Sequence, residues 1–403
     1  KPTKERGIGM YDFNIPVDRH GTSSIKWDRA KGKFHTDKDI IPLWIADVDF
    51  ESPKEVKEAI VRRAEHGVYG YTFAMGDYLE SVAGWYRREY GLDVKAEWVC
   101  PTYGVVTALY FSLLALTKPG DAVMVNTPIY DPFYAIVRNT GRTLVESPLI
   151  HEDDSYRLDF GDMEEKMKQG VKLLIFCNPH NPTGRVWTRE EMKQVVDLCN
   201  KYNVYLDSDE IHGDLALFGN TYVSALAFPE VYDKLSVYTA PGKTFGLAGM
   251  IASNLLIPDE TVRNQVSGAL RGAWIMSPNI FGLEATKAAY DHGAQWLKEE
   301  KAYLEENSRF VAEYIREHMP QVKVTKHEGT YLMWIDFGCL GLGDDLYHTL
   351  VEECRVGFGE GAQYGEGGKN FVRLNIGCSR ELLKEALESV TKLYEERVGG
   401  TSK

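Results

Sequence analysis

The chain has 403 residues, 44% hydrophobic and 26% charged: an ordinary globular composition, long enough for two or three domains or one large α/β body with an appendage. A formal net charge of -13 argues against nucleic acid and anionic membranes as main partners. Six scattered cysteines (Cys100, Cys177, Cys199, Cys339, Cys354 and Cys378) form no CxxC pair, and neither a membrane-length apolar run nor an apolar N-terminal signal core is visible, so the expectation is a metal-free, disulfide-free cytoplasmic protein.

Residues 1–45 are mixed and mostly irregular, ending in an apolar run, Ile41-Pro42-Leu43-Trp44-Ile45, that leads into Ala46-Asp47-Val48-Asp49-Phe50. Ser52 as N-cap and Pro53 at the first helical position predict a helix to about His66. Gly67-Val68-Tyr69-Gly70-Tyr71 makes an aromatic turn, and a second helix is expected over 77–89. From Trp98 short strands alternate with helices. Strands are expected at 98–102, 122–125, 143–145, 173–177, 204–207, 235–239 and 253–257. Between them fall a buried apolar helix over 104–116, a helix over 132–139, and one ending at Tyr202 that opens with the capping box Thr188/Glu191. This alternation implies parallel βαβ units in a sheet covered on both faces. After about residue 280 the pattern changes: a long charged helix over 295–317, strands at 322–324, 330–336 and 371–376, and helices over 345–353 and 379–397 read as a smaller α+β unit.

Ligands of open α/β sheets bind beyond the carboxyl ends of the strands. Three of those ends carry unusual chemistry. Strand 173–177 runs into Asn178-Pro179-His180-Asn181-Pro182-Thr183-Gly184, strand 204–207 into Ser208-Asp209-Glu210-Ile211-His212, and strand 235–239 into Pro241-Gly242-Lys243. A lysine on a turn at the end of a buried strand can lose water, and desolvation favours the neutral, nucleophilic amine. A phosphate-binding G-x-x-x-x-G-K-[ST] loop fails here, because the first glycine position holds Val237. A lysine, a carboxylate and an asparagine turn on one edge suit pyridoxal phosphate, which needs an amine to hold its aldehyde and a carboxylate to keep its ring nitrogen protonated. Gly104-Val105-Val106, opening the buried helix, offers backbone N–H groups for a phosphate.

NPxNPTG, SDEIH and KTFxLAG, in this order, resemble the pyridoxal-phosphate enzymes of fold type I in the class I/II aminotransferase superfamily. IPLWIADVDF, YGYT, TPIYDPFY, SPLI, NPHNPTGRVW, SDEIHGDL, TAPGKTFGLAGM, EGTYL and FVRLN resemble, more narrowly, its carbon–sulfur β-lyase branch of cystathionine β-lyase and cystalysin-like enzymes. The resemblance implies a large domain at 51–285 with a mostly parallel seven-stranded sheet covered by helices, a small C-terminal domain at 286–403, and an N-terminal segment at 1–50 associated with the latter. It implies that Lys243 holds the cofactor and later moves the Cα proton, that Asp209 pairs with the ring nitrogen, and that Asn181 bonds the ring hydroxyl with His212 nearby. It implies that Tyr130 stacks on the ring and takes part in catalysis, and that Gly104, Val105, Val106 and Thr239 meet the phosphate. It further implies a homodimer with a shared active site in which Tyr71 reaches the phosphate of the partner subunit, and a substrate site made of Arg373, Ala46 and Tyr130.

Two departures stand out. Ala240 and Gly242 flank the proline of the lysine turn where the family often has serines, and Ile251 stands where many aminotransferases carry an arginine. Three functions remain open on the sequence: a β-lyase acting on cystathionine, cystine or cysteine, an aminotransferase, and a non-catalytic ligand-binding regulator on the same scaffold. An intact Lys243, Asp209 and Arg373 speak against the last.

Overall fold

The structure, a computed structural model, describes residues 11–398. The first ten and last five residues of the expected terminal units therefore lie outside the described residues. The central layer is a seven-stranded sheet in the order Val99–Thr102, Ser253–Leu256, Leu235–Thr239, Tyr205–Asp209, Val171–Cys177, Ala122–Thr127, Thr143–Pro148. Only Ser253–Leu256 runs against its neighbours; the other pairings are parallel. Strand residues alternate between the two faces, and the two cores divide accordingly. Val123, Val125, Leu173 and Ile175 pack with Val105, Leu109 and Leu113 of the helix Val105–Leu116 on one face, whereas Met124, Leu174 and Phe176 belong to the larger core on the other.

A second sheet has the order Ile41–Leu43, Val356–Glu360, Phe371–Asn375, Leu332–Asp336, Lys323–Val324. Its first pairing is parallel, Ile41 opposite Val356, so the apolar run before Ala46 is an edge strand of a sheet otherwise built from the last quarter of the chain. The strand Val356–Glu360 is not foreseen from the sequence, because its glycines lower strand propensity. Gly357 has a packing reason: a Cβ there would sit 2.3 Å from the Phe34 ring.

Other expectations shift in detail. The helix Lys54–Glu65 starts one residue later than read, with Pro53 as its N-cap in an extended conformation, so Ser52 does not cap it. The capping box of Thr188 and Glu191 is present and opens the helix Arg189–Tyr202. The helices Phe160–Lys168, Glu260–Gly272 and Ile280–His292 are not foreseen, although each opens on a side-chain cap: Asp159, Asp259 and Asn279 accept the backbone N–H three residues on.

Candidate active site

The carboxyl ends of the strands Val171–Cys177, Tyr205–Asp209 and Leu235–Thr239 meet at a cavity of about 310 Å³. Ala46, Gly104, Val105, Val106, Tyr130, Asn181, Asp209, His212 and Lys243 all line it, nine residues drawn from six separate segments of chain.

Lys243 sits in a single helical turn, Pro241–Thr244, rather than on an open turn. That turn is pinned from below: Thr244 Oγ1 donates to Asp214 Oδ2 (2.7 Å), while Trp85 Nε1 donates to the other oxygen of the same carboxylate (2.9 Å). Gly242 packs closely, since a Cβ would lie 3.3 Å from the Ala248 backbone. Lys243 Nζ donates to the Ala46 carbonyl (2.5 Å). Burial, reinforced by the nearby Arg373 cation, pulls this amine from its ordinary value down to about 8, against the opposing pull of Asp47 and Asp209. About a tenth of the amine is then neutral at pH 7, far more than for an ordinary lysine, as a nucleophile requires.

Asp209 is the last residue of its strand instead of the second after it, so its backbone is held by the ladder to Cys177 and Tyr238. It is only 4% exposed, and Oδ1 accepts the Ile211 N–H (3.1 Å). No lysine or arginine pairs with it among the described residues, and burial pushes its carboxyl up to about 7. A buried carboxylate at a cavity wall with no cation partner fits a ligand that brings a cation. His212, equally buried, has an unpartnered Nδ1, and burial beside Lys243 and Arg373 holds its imidazole well below the ordinary value, hence neutral.

Gly104 caps the helix Val105–Leu116 with φ +81°, a left-handed conformation that explains the glycine. The first intrahelical bond is Ala108 N–H to the Gly104 carbonyl, and no side chain caps the end, so the N–H groups of the first turn face the cavity region unspent. Asn181 Oδ1 accepts from Arg373 Nη1 (3.1 Å), which leaves the Asn181 amide N–H₂ as a donor. Arg373 does not line the cavity itself but stands immediately behind Asn181. It is 5% exposed, donates through Nη2 to the Trp44 carbonyl (2.8 Å), stacks over Tyr364 and, among the described residues, has no carboxylate partner. Its Nε is buried without an acceptor. An unneutralised, partly unspent guanidinium fits a carboxylate ligand.

Two sequence candidates lie elsewhere. Thr239 is buried against the Tyr86 and Tyr290 hydroxyls on the opposite face of the sheet, because strand alternation aims its neighbour Ala240 at the cavity instead. The expectation that Thr239 meets the phosphate is therefore not met in this arrangement. Tyr71 is fully exposed and outside the cavity of its own chain. Ala240, Gly242 and Ile251 also line the wall, and Tyr103, Thr107, Cys177, Ile211, Leu247, Ala248 and Ala252 complete it; these seven are not foreseen, since none stands in a motif that marks it out.

The unpaired Asp209, the open helix N-terminus, the Asn181 amide and the low-pKa lysine together fit pyridoxal phosphate: ring nitrogen, phosphate, ring hydroxyl and aldehyde each have a partner of the right chemistry.

Comparisons with known proteins agree with this geometry. The family model "Aminotransferase class I and II" matches residues 38–390. The chain is 38% identical over 382 residues to cystathionine beta-lyase PatB of Bacillus subtilis, covering 94% of this chain and 98% of that one. It is 32% identical to protein MalY of Escherichia coli, covering 94% and 97%. The crystal structure of cystalysin from Treponema denticola, which contains pyridoxal 5'-phosphate, superimposes with a TM-score of 0.93 at 32% identity, covering 96% of this chain and 99% of that one. The chain is a member of the class I and II aminotransferase family of pyridoxal-phosphate-dependent proteins.

Proposed function

We propose that the protein is a pyridoxal-phosphate-dependent carbon–sulfur β-lyase that splits cysteine-type amino acids such as cystathionine, cystine or cysteine into a thiol, pyruvate and ammonia. The observation that carries this reading is the convergence of Lys243, Asp209 and Asn181 at one cavity, with Arg373 directly behind Asn181 and bonded to it. The names of the relatives, cystathionine beta-lyase at 38% identity against aspartate aminotransferase at 25%, favour elimination over transamination.

Bound pyridoxal phosphate supplies an aldehyde that condenses with amines and a protonated ring that accepts the electron pair left at Cα. Lys243 would hold the aldehyde at rest and, once displaced by the substrate amine, take the Cα proton. Asp209 would keep the ring nitrogen protonated, and Asn181 would bond the ring hydroxyl beside His212. Tyr130, half-buried at the wall, would cover the ring. Gly104, Val105 and Val106 would bind the phosphate through backbone N–H groups, and Arg373 would hold the substrate carboxylate next to Ala46. The products would be a thiol and, after water adds to the released three-carbon enamine, pyruvate and ammonia.

The working form is a homodimer in the cytoplasm. Val68, Tyr69, Tyr71, Phe73 and Met75 are all exposed on one loop, an apolar set that a second copy would cover, and Tyr71 has no role in its own chain's cavity. All six cysteines are free, which suits a reducing compartment.

The purified protein should be given cystathionine, cystine, and an ordinary amino acid with a keto acid. Pyruvate from the sulfur amino acids supports the lyase; new amino acid with little pyruvate supports the aminotransferase. Borohydride reduction and peptide mapping should place the cofactor on Lys243, and a label on another lysine overturns the site.

A further inference from the structure

The segment Trp44 to Asp47 follows the edge strand Ile41–Leu43 but belongs to no ladder. A carbonyl outside a ladder still needs a donor once it is buried. All four carbonyls of this segment are met by side chains distant in sequence. Trp44 O accepts from Arg373 Nη2 (2.8 Å), Ile45 O from Asn375 Nδ2 (2.6 Å), and Asp47 O from Asn375 Nδ2 (2.6 Å) and Lys26 Nζ (3.3 Å). Ala46 O accepts twice, from Lys243 Nζ (2.5 Å) and the Tyr331 hydroxyl (2.9 Å).

The donors have a common origin. Arg373 and Asn375 are two apart on the strand Phe371–Asn375 and so share a face. Tyr331 precedes the antiparallel neighbour Leu332–Asp336 and extends the pairing, its carbonyl accepting the Ile376 N–H (2.9 Å). The far end of the segment is fixed by charge: Lys26, wholly buried, pairs with Asp49 (2.6 Å), and Arg19 bridges Asp47 and Asp49 (2.8 and 2.7 Å).

Peptide planes turn as units, and two residues span at most about 7 Å. The anchor of Arg373 and the anchor of Lys243 are thus two residues apart on one short backbone span. In an amino acid the carboxylate and the Cα–H are on adjacent atoms. The group that holds the one and the group that takes the proton from the other must be set a few ångströms apart with little play.

We infer that Tyr331 is a positioning residue for the reaction, fixing the Ala46 carbonyl so that the Trp44–Asp47 segment sets Lys243 against the carboxylate clamp Arg373. Tyr331 does not line the cavity: its hydroxyl acts through the Ala46 peptide, and its ring packs edge-on against His212. The inference rests on the functional reading above, because it takes Arg373 as the carboxylate clamp and Lys243 as the proton-transfer group.

The test is Tyr331→Phe, which removes one hydroxyl from a fully buried ring and keeps the packing. One neutral hydrogen bond is about 1–1.5 kcal/mol, so kcat should fall about tenfold. The amino-acid KM should stay within about twofold of wild type. The isotope effect with α-deuterated substrate should rise as proton transfer becomes limiting, and hydrogen exchange of the peptide spanning residues 44–50 should quicken with and without pyridoxal phosphate. Wild-type kcat and isotope effect in the variant overturn the inference. So does a raised KM with unchanged kcat, which would mark loosened binding alone. If the wild-type protein proves an aminotransferase, the lyase reading fails and the same split is read in the transamination half-reaction. If it turns over no amino acid, the exchange measurement decides: unchanged exchange at residues 44–50 overturns the inference.

Discussion

The site has two halves built in opposite ways, the cavity wall and the frame behind it. The half that would hold the cofactor comes from three neighbouring strands of one sheet, each delivering its chemistry within a few residues of its carboxyl end: Asn181 after Cys177, Asp209 at the end of Tyr205–Asp209, Lys243 after Thr239. The half that would hold the substrate carboxylate is assembled across the chain. Arg373 meets Trp44 from 329 residues away, and Tyr331 meets Ala46 from 285. The first half needs only correct strand order and is rigid by virtue of its ladders. The second depends on side chains gripping an irregular stretch of backbone, so it is the half that can loosen without unfolding the sheet.

The largest effect expected from breaking this contrast is at Asp209, in the ladder-held half. Asp209→Ala should keep the fold and the bond between Lys243 and the cofactor but lower turnover by roughly a thousandfold or more, since the ring nitrogen loses its partner. Most of the activity surviving would mean that the carboxylate is structural only. The same residue gives a stability test without cofactor. Its carboxyl is raised by burial to about 7 in the folded chain, so its contribution to stability is full below the ordinary carboxylate value and is lost as pH rises through 7. Cofactor-free Asp209→Asn should therefore be more stable than wild type by about 2–4 kcal/mol at pH 8, and equal to it near pH 3. Denaturant midpoints at the two pH values read this directly; a variant no more stable at pH 8 contradicts it.

A smaller effect is expected in the assembled half. Arg373→Lys keeps the charge but loses the planar fork that grips a carboxylate in two places and the bond to Trp44. The amino-acid KM should rise roughly a hundredfold with cofactor absorbance unchanged. A variant that instead loses the cofactor would show that the two halves are not separable, because Asn181 is the partner they share.

This contrast also sets what could be read from the sequence. Lys243, Asp209 and Asn181 are legible because each lies at, or a few residues beyond, the end of a short buried strand, and strand-end polar residues in successive βα units have a physical reason to converge. The sheet was legible from the same alternation. Three things were not. Residues that work through backbone carbonyls, such as Tyr331 and Asn375, carry no local pattern, because their partners lie some 285 and 330 residues away. Which face a strand residue takes is also not given by the strand's bounds: the strand ends at Thr239 as expected, yet that side chain turns toward Tyr86 and Tyr290 and away from the cavity. Glycine-bearing strands fail for a third reason, as Gly357 answers to the Phe34 ring and not to strand propensity.

The smallest effect on a single chain, and the sharpest on the comparison, is at Tyr71, which belongs to neither half as built from one chain. Its side chain is fully exposed, while the helix end at Gly104 to Val106 that would take the phosphate offers backbone donors and, among the described residues, no arginine lines the cavity, where Ile251 is 58% exposed. A hydroxyl arriving from a second copy would add one charge-assisted hydrogen bond, of order 1.5–3 kcal/mol. Tyr71→Phe should accordingly weaken cofactor retention by roughly tenfold to a hundredfold, measured as the dissociation constant from absorbance during dialysis. Mixed dimers make the test decisive. Pairing an inactive Lys243→Ala chain with a strongly impaired Tyr71→Ala chain puts both lesions in one site and neither in the other. Random re-association should then restore roughly a quarter of the wild-type sites, since half of the dimers are mixed and each has one intact site. Co-refolded mixtures that stay as weak as their parents, or a monomer with full activity, would mean that each chain completes its own cavity, and that the exposed loop from Val68 to Met75 serves something other than the active site.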